Sequence, residues 1–186
     1  LIPNELPESG RDASVRSIDC SLWWIETLGL YLEASQDWEF LAEQYGVVKQ
    51  IYKAFTAGTL YGIHVDVSDG LLTWDDLTTP LTWMDTVIDQ QPVTLRHGKP
   101  IEINALWYSA LCWASRWAER LNSEPDLTGN DRLTNQARRY AQQAEEVKAS
   151  LQKYWNSQNN YLYDRIAPDD RKDAAIRPNA VIALCL

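Results

Sequence analysis

The chain has 186 residues, 45% of them hydrophobic and 23% charged, so it can bury a core and is not composed like a disordered segment. A formal net charge of -9 and a pI near 4.7 repel phosphate backbones, and no basic stripe interleaved with aromatics offsets this, which argues against nucleic acid as a partner. No apolar run reaches bilayer-spanning length, and the opening LIPNELPESG has neither the basic start nor the apolar middle of a signal peptide, so the expectation is a cytoplasmic protein without membrane attachment.

A first helix is predicted from about Ser17 to Ala34, where Leu22, Trp23, Trp24, Ile25, Leu28, Leu30, Tyr31 and Leu32 cover nearly every side, as in a helix buried all round. A second, from about Asp37 to Ala57, has Asp37 as N-cap and an apolar stripe of Leu41, Tyr45, Val48, Tyr52 and Phe55 against a charged face. The third, about Glu102 to Leu121, is apolar over most of its surface and reads as internal. The fourth, about Arg132 to Trp155, sets Leu133, Ala137, Tyr140, Ala144, Val147, Leu151 and Tyr154 against Arg, Gln, Glu and Lys, and reads as external. A fifth begins near Pro178, a favoured first-turn residue, and continues to Leu186 without a stop signal.

Alternating buried and amphipathic helices fit a bundle, a solenoid or an (α/α) toroid, in which inner helices line a funnel and outer ones wrap it. The connections discriminate. Links from inner to outer helix are short, at 35–36 and about 122–131, whereas links from outer to inner are long, at 58–101 and 156–177. The long loops therefore gather over the N-termini of the inner helices, and the first is too rich in Trp, Leu, Ile and Val to be disordered. No repeat of fixed period supports a solenoid. The fold class expected is all-α, part of an (α/α)6 toroid with about five helices and long rim loops.

Nine Trp and nine Tyr against two Phe favour groups that stack and hydrogen-bond together. Core packing accounts for most of them; Trp74 and Trp83, in a loop beside charged residues, are the exceptions. Cys20, Cys112 and Cys185 have no CxxC spacing and read as small buried apolar residues, while His64 and His97 lack helical metal-ligand spacing. Neither a metal nor a cofactor is expected.

The loop carries Asp69-Gly-Leu-Leu72, then Leu81-Thr-Trp-Met-Asp85, then Arg96-His-Gly-Lys-Pro-Ile-Glu-Ile-Asn-Ala-Leu-Trp-Tyr108. Carboxylates, cations, an amide and aromatics meet in one stretch. Hydrolysis of a glycosidic bond needs a proton for the leaving oxygen and, for inversion, a second carboxylate about 6.5–9.5 Å away that activates water. Asp85 suits the first task because Trp83 beside it can exclude water, the condition under which a carboxyl keeps its proton. On spacing alone, a turn or capping role for Asp85 stands beside this one.

These segments, with Ser17-Ile-Asp-Cys-Ser-Leu-Trp-Trp-Ile25, Val93-Thr-Leu95 and Ile176-Arg-Pro-Asn179, resemble the amylo-alpha-1,6-glucosidase domain of glycogen debranching enzymes, in that family's order and almost from end to end. The resemblance implies that Asp85 is the general acid and that Asp19, Trp83, Lys99, Glu102, Asn104, Arg177 and Asn179 surround the sugar subsites. For Asp19 an N-cap, for Glu102 a helix-dipole partner and for Arg177 a structural ion pair remain alternatives. The implied substrate is an oligosaccharide or branched alpha-glucan with alpha-1,6-linked glucose.

Where the family often has a small residue and Lys after the motif, this chain has Thr86 and Val87 followed by Ile88-Asp-Gln-Gln-Pro92, a departure that bears on substrate preference. A closed toroid needs twelve helices. The expectation is a fragment of one domain over 1–186, inactive alone, with the remainder of its catalytic domain as partner and a Glu base beyond residue 186. An invertase-like sucrose hydrolase and a noncatalytic carbohydrate-binding or scaffold protein are the competing readings; Thr82-Trp83 and Asn104-Ala-Leu-Trp-Tyr108 favour the debranching family over the invertase.

Overall fold

The computed structural model describes residues 1–5, 13–123 and 131–186. Helix α1, Asp19–Ser35, stops where Gln36 turns left-handed at φ 58° and returns its N–H to the Leu32 carbonyl. One residue later the Asp37 carboxylate accepts the Phe40 N–H at 3.0 Å and starts α2, Trp38–Ala57, so the expected cap is in place. Helix α3, Ile101–Asn122, packs against all the others; α4, Asp131–Leu151, lies along it, and α5 is short, Asn179–Leu184. The short link after α3 falls mostly at 124–130, outside the described residues.

Helix α3 buries Ile103, Leu106, Trp107, Leu111, Ala114 and Trp117, the internal helix that its composition predicts. Helices α2 and α4 are one-sided: Leu41, Tyr45, Val48, Ile51 and Phe55 on the first, Leu133, Ala137, Tyr140, Ala144 and Val147 on the second, face inward at helical spacing. Their aromatics interlock over α3, with Tyr52 stacked on Trp107 at 6.0 Å and edge-on to Tyr140 at 4.7 Å. The polar tips find partners across the seam: Tyr45 Oη donates to Gln136 Oε1 at 3.1 Å and Tyr52 Oη to Gln143 Oε1 at 2.6 Å.

Three expectations need correction. Helix α1 is not buried all round, because Trp23, Leu30 and Tyr31 are 40%, 57% and 44% exposed, although Trp24 packs partly against the core. Cys20 and Cys112 are only half-buried and Cys185, past the end of α5, is exposed. Trp74 is a core residue, 1% exposed, since its loop folds back over α3 instead of projecting from it.

The long loops also carry structure that periodicity missed, in antiparallel pairs of two-residue strands too short to alternate visibly. His64–Val65 (β1) pairs with Leu72–Thr73 (β2), and Val87–Ile88 (β3) with Gln91–Pro92 (β4). Lys99–Pro100 (β5) pairs with Arg165–Ile166 (β8), which pairs in turn with Lys172–Asp173 (β9); Trp155–Asn156 (β6) pairs with Tyr161–Leu162 (β7). Helix α4 ends before Trp155, running into a 3-10 turn at Gln152–Tyr154 that hands the chain to β6. No helix among the described residues is long and apolar enough to cross a membrane.

The α1–α3 seam is tight at Gly29, where an added Cβ would lie 2.7 Å from Trp113 Cζ2 and Nε1. Trp113 has little room to retreat, because its indole N–H donates to Glu26 at 3.1 Å and its ring stacks on Trp117 at 5.6 Å. Alanine should gain about 1 kcal/mol of helix propensity but lose about 1–3 kcal/mol to overpacking. Gly29→Ala is therefore expected to lower the urea midpoint, and the same change in a Trp113→Ala background to raise it; a higher midpoint in both would contradict the seam.

Candidate active site at the helix N-termini

The N-termini of α1, α3 and α5 share one rim, tied together by loop residues. The Ile18 N–H donates to the Leu81 carbonyl at 2.9 Å and the Ile101 N–H to the Asp164 carbonyl at 3.0 Å, so the loops bearing Trp83 and Asp164 close the starts of α1 and α3. Asp19, in the first turn of α1, is not its N-cap: that position is Ile18, without a side-chain cap. Instead its Oδ2 accepts the Trp83 backbone N–H at 2.8 Å, and Ser17 donates to its Oδ1.

Trp83 is held at a second point, its indole N–H donating to Asn179 Oδ1 at 2.9 Å, while 48% of the residue stays exposed. Asn179, wholly buried at the start of α5, turns its amide N–H groups toward Asp164 Oδ1 at 2.7 Å and Met84 Sδ at 3.6 Å. Behind it lies a buried ion cluster. Arg96 pairs in bidentate fashion with Glu102 through both carboxylate oxygens and donates from Nε to Asp164 Oδ2 at 2.9 Å. Arg177 Nη1 reaches the same Asp164 oxygen at 2.9 Å and Asp173 at 3.3 Å. Burial pushes the Glu102 carboxyl above its ordinary pKa, against the pull of Arg96.

Asp85 is exposed, and with Asn4, Glu5, Arg16, Pro80 and Val87 it lines a cavity of about 490 Å³. The water-excluding surround suggested by its neighbour Trp83 is not closed over it. The hairpin β3–β4 begins two residues on, and Asp89 and Gln90 at its tip both have positive φ, 48° and 62°, the turn whose twist suits a two-residue link.

Of the residues singled out by sequence, Asp19, Trp83, Glu102, Arg177 and Asn179 are brought into one connected network. Asn104 and Lys99 are not. The Asn104 side chain accepts from the Leu72 N–H at 2.7 Å and donates to the Leu72 and Pro100 carbonyls, at 3.1 and 3.0 Å, pinning β2 to α3. Glu102 and Asn104, which the resemblance places around the sugar subsites, are at most 1% exposed and do not line the cavity of Asp85. Lys99 turns to Asp66 at 2.7 Å and Asp69 at 2.9 Å, beside a different cavity of about 480 Å³ that Lys153 also lines.

Arg96 and Asp164 are the residues that sequence reasoning missed. A buried arginine demands carboxylates, and the Leu162-Tyr-Asp-Arg-Ile166 stretch, a charged pair inside an apolar one, was the available hint. Among the described residues no cluster of three or more His, Cys, Asp or Glu could hold a metal ion.

Two carboxylates on this rim are displaced in opposite directions. Burial raises Asp19 and outweighs its hydrogen bonds from Ser17 and Trp83. Burial also pushes Asp66 up, but the Lys99 ammonium and the Ser68 N–H and hydroxyl overcome it and hold Asp66 well below the usual carboxylate range. Asp66 therefore contributes stability that is present above its unfolded pKa and is lost as pH falls through the folded one. For Asp19 folding favours the protonated form, so its contribution declines as pH rises from the unfolded to the folded pKa. A carboxyl ¹³C titration of the folded protein should place the Asp19 midpoint above that of Asp66; the reverse order would contradict both environments.

A search of curated proteins finds no match for this chain. The model of the amylo-alpha-1,6-glucosidase family matches residues 1–186, the whole length, and the chain accordingly belongs to that family of glycosidase-like enzymes.

Proposed function

We propose that the chain is part of an (α/α)6 toroid glycosidase, cytoplasmic, that hydrolyses alpha-1,6-linked glucose at branch points of glycogen or limit dextrin. The observation that carries this reading is the half-exposed Trp83, held at its backbone by Asp19 and at its ring by Asn179, two residues before an exposed Asp85. A fixed aromatic face beside a free carboxyl is what a sugar ring and its leaving oxygen require. The gathering of the α1, α3 and α5 N-termini on one rim, with charged faces of α2 and α4 outside, supports the toroid. In this reading the uncovered apolar residues of α1 and α5 meet the remainder of the catalytic domain.

The mechanism is inversion. Asp85 donates its proton to the leaving glycosidic oxygen as the bond to the anomeric carbon breaks, and a second carboxylate takes a proton from the water that attacks the opposite face. In this reading that base is a Glu beyond residue 186. Bound glucan on Trp83 excludes water from Asp85, supplying the surround that the free rim leaves open. Glu102, Arg177 and Asn179 act from behind as supports for the platform. Val87 and Ile88 of the β3–β4 hairpin are exposed, and this reading assigns them to contact with the outgoing chain.

In the full-length protein, Asp85→Asn is nearly isosteric and should leave folding and glucan binding intact while lowering the rate on an alpha-1,6-glucoside by about two to four orders of magnitude. Glucosyl fluoride, whose leaving group needs little protonation, should lose much less. Equal losses on the two substrates would remove Asp85 from the acid role.

A further inference from the structure

Asp164 has no part in the reading above, yet its carboxylate, on a residue 2% exposed, accepts hydrogen bonds from three residues of the rim. Arg96 donates at 2.9 Å from Nε and 3.1 Å from Nη2, and Arg177 at 2.9 Å from Nη1; the two guanidinium groups fix the carboxylate in place. The remaining donor is the Asn179 amide at 2.7 Å.

Oxygens that already receive two guanidinium groups serve as acceptors, and the end of the Asn179 amide that faces them is the NH₂. The carbonyl end is thereby aimed at the Trp83 indole N–H, which it meets at 2.9 Å, and the second amide hydrogen at Met84 Sδ, 3.6 Å away. Trp83 and Met84 are the two residues directly before Asp85. We propose that Asp164 is a positioning residue: by dictating which way the Asn179 amide turns, it sets the orientation of Trp83 and Met84 and so the placement of a sugar against Asp85. The consequence for turnover rests on the glucosidase reading; the orientation of the indole does not.

If Asp164 merely neutralised Arg96 and Arg177, the bond to Asn179 would be incidental, and the indole would be indifferent to it. The two cases separate in ¹⁹F NMR of the full-length protein labelled with 5-fluorotryptophan, in which the resonance missing from Trp83→Phe identifies Trp83. Asp164→Asn keeps an acceptor for the guanidinium groups but no longer dictates the amide. It should displace or split the Trp83 resonance and leave the other tryptophans in place, with kcat/KM on an alpha-1,6-glucoside falling about tenfold, the size of one charge-assisted hydrogen bond, chiefly through KM. An undisturbed Trp83 resonance in the folded variant overturns the proposal.

Trp83→Phe cuts the same relay from its exposed end, keeping a ring and removing the N–H. It should reproduce the tenfold loss, and Asp164→Asn added to it should cost nothing further; additive losses would assign Asp164 a purely structural role. Should Asp164→Asn fail to fold, an unchanged kcat/KM in Trp83→Phe alone overturns the proposal. Failure of the glucosidase reading shows separately, as an unmutated full-length protein that releases no glucose from alpha-1,6-glucosides, and leaves the ¹⁹F result to decide the relay.

Discussion

Helix α3 is enclosed on nearly every side, and that enclosure dictates the rest of the rim. A helix end cut off from water still has unpaired backbone N–H groups and whatever polar side chains its first turn carries. Here the first turn carries Glu102 and Asn104, at most 1% exposed. Leaving either without partners would cost several kcal/mol, an appreciable part of the stability of a domain this size. The loops after α2 and α4 answer this demand: Arg96 takes Glu102, the β2 backbone takes Asn104, and the Asp164 carbonyl takes the Ile101 N–H.

Satisfying α3 in this way brings cations inside, and their charges must be balanced in turn. Arg96 is 3% exposed and faces two carboxylates, Glu102 and Asp164; Arg177 bridges Asp164 to Asp173. Removing one member of such a set exposes a buried charge to its like neighbours, which costs more than the set contributes when intact. The members of the set hold one another in place, and the Asn179 amide links them to Trp83.

How much of this could be read from sequence depends on what kind of signal each part leaves. The helices were legible because burial of one face recurs every three or four residues, as in Leu133, Ala137, Tyr140, Ala144 and Val147 of α4. The gathering of the loops at one end followed from connection lengths alone. The two-residue strands were not legible, being shorter than any period, and Trp74 was mistaken for a rim residue because nothing local says that its loop folds inward. For the site, the resemblance named Asp19, Trp83, Glu102, Arg177 and Asn179 without saying how they connect. Asp164 and Arg96, which connect them, act through contacts 68 residues apart in the chain, and no spacing rule spans such a distance.

The double attachment of Trp83 has a consequence for the entropy of binding. A half-exposed tryptophan ordinarily samples several rotamers, and immobilising a side chain at an interface costs about 0.5–1.5 kcal/mol. With its backbone tied to Asp19 and its indole N–H to Asn179, that freedom is surrendered when the chain folds. A flat ligand that lands on the ring meets a surface already at rest, and more of the contact energy remains to hold the ligand in register with the neighbouring carboxyl.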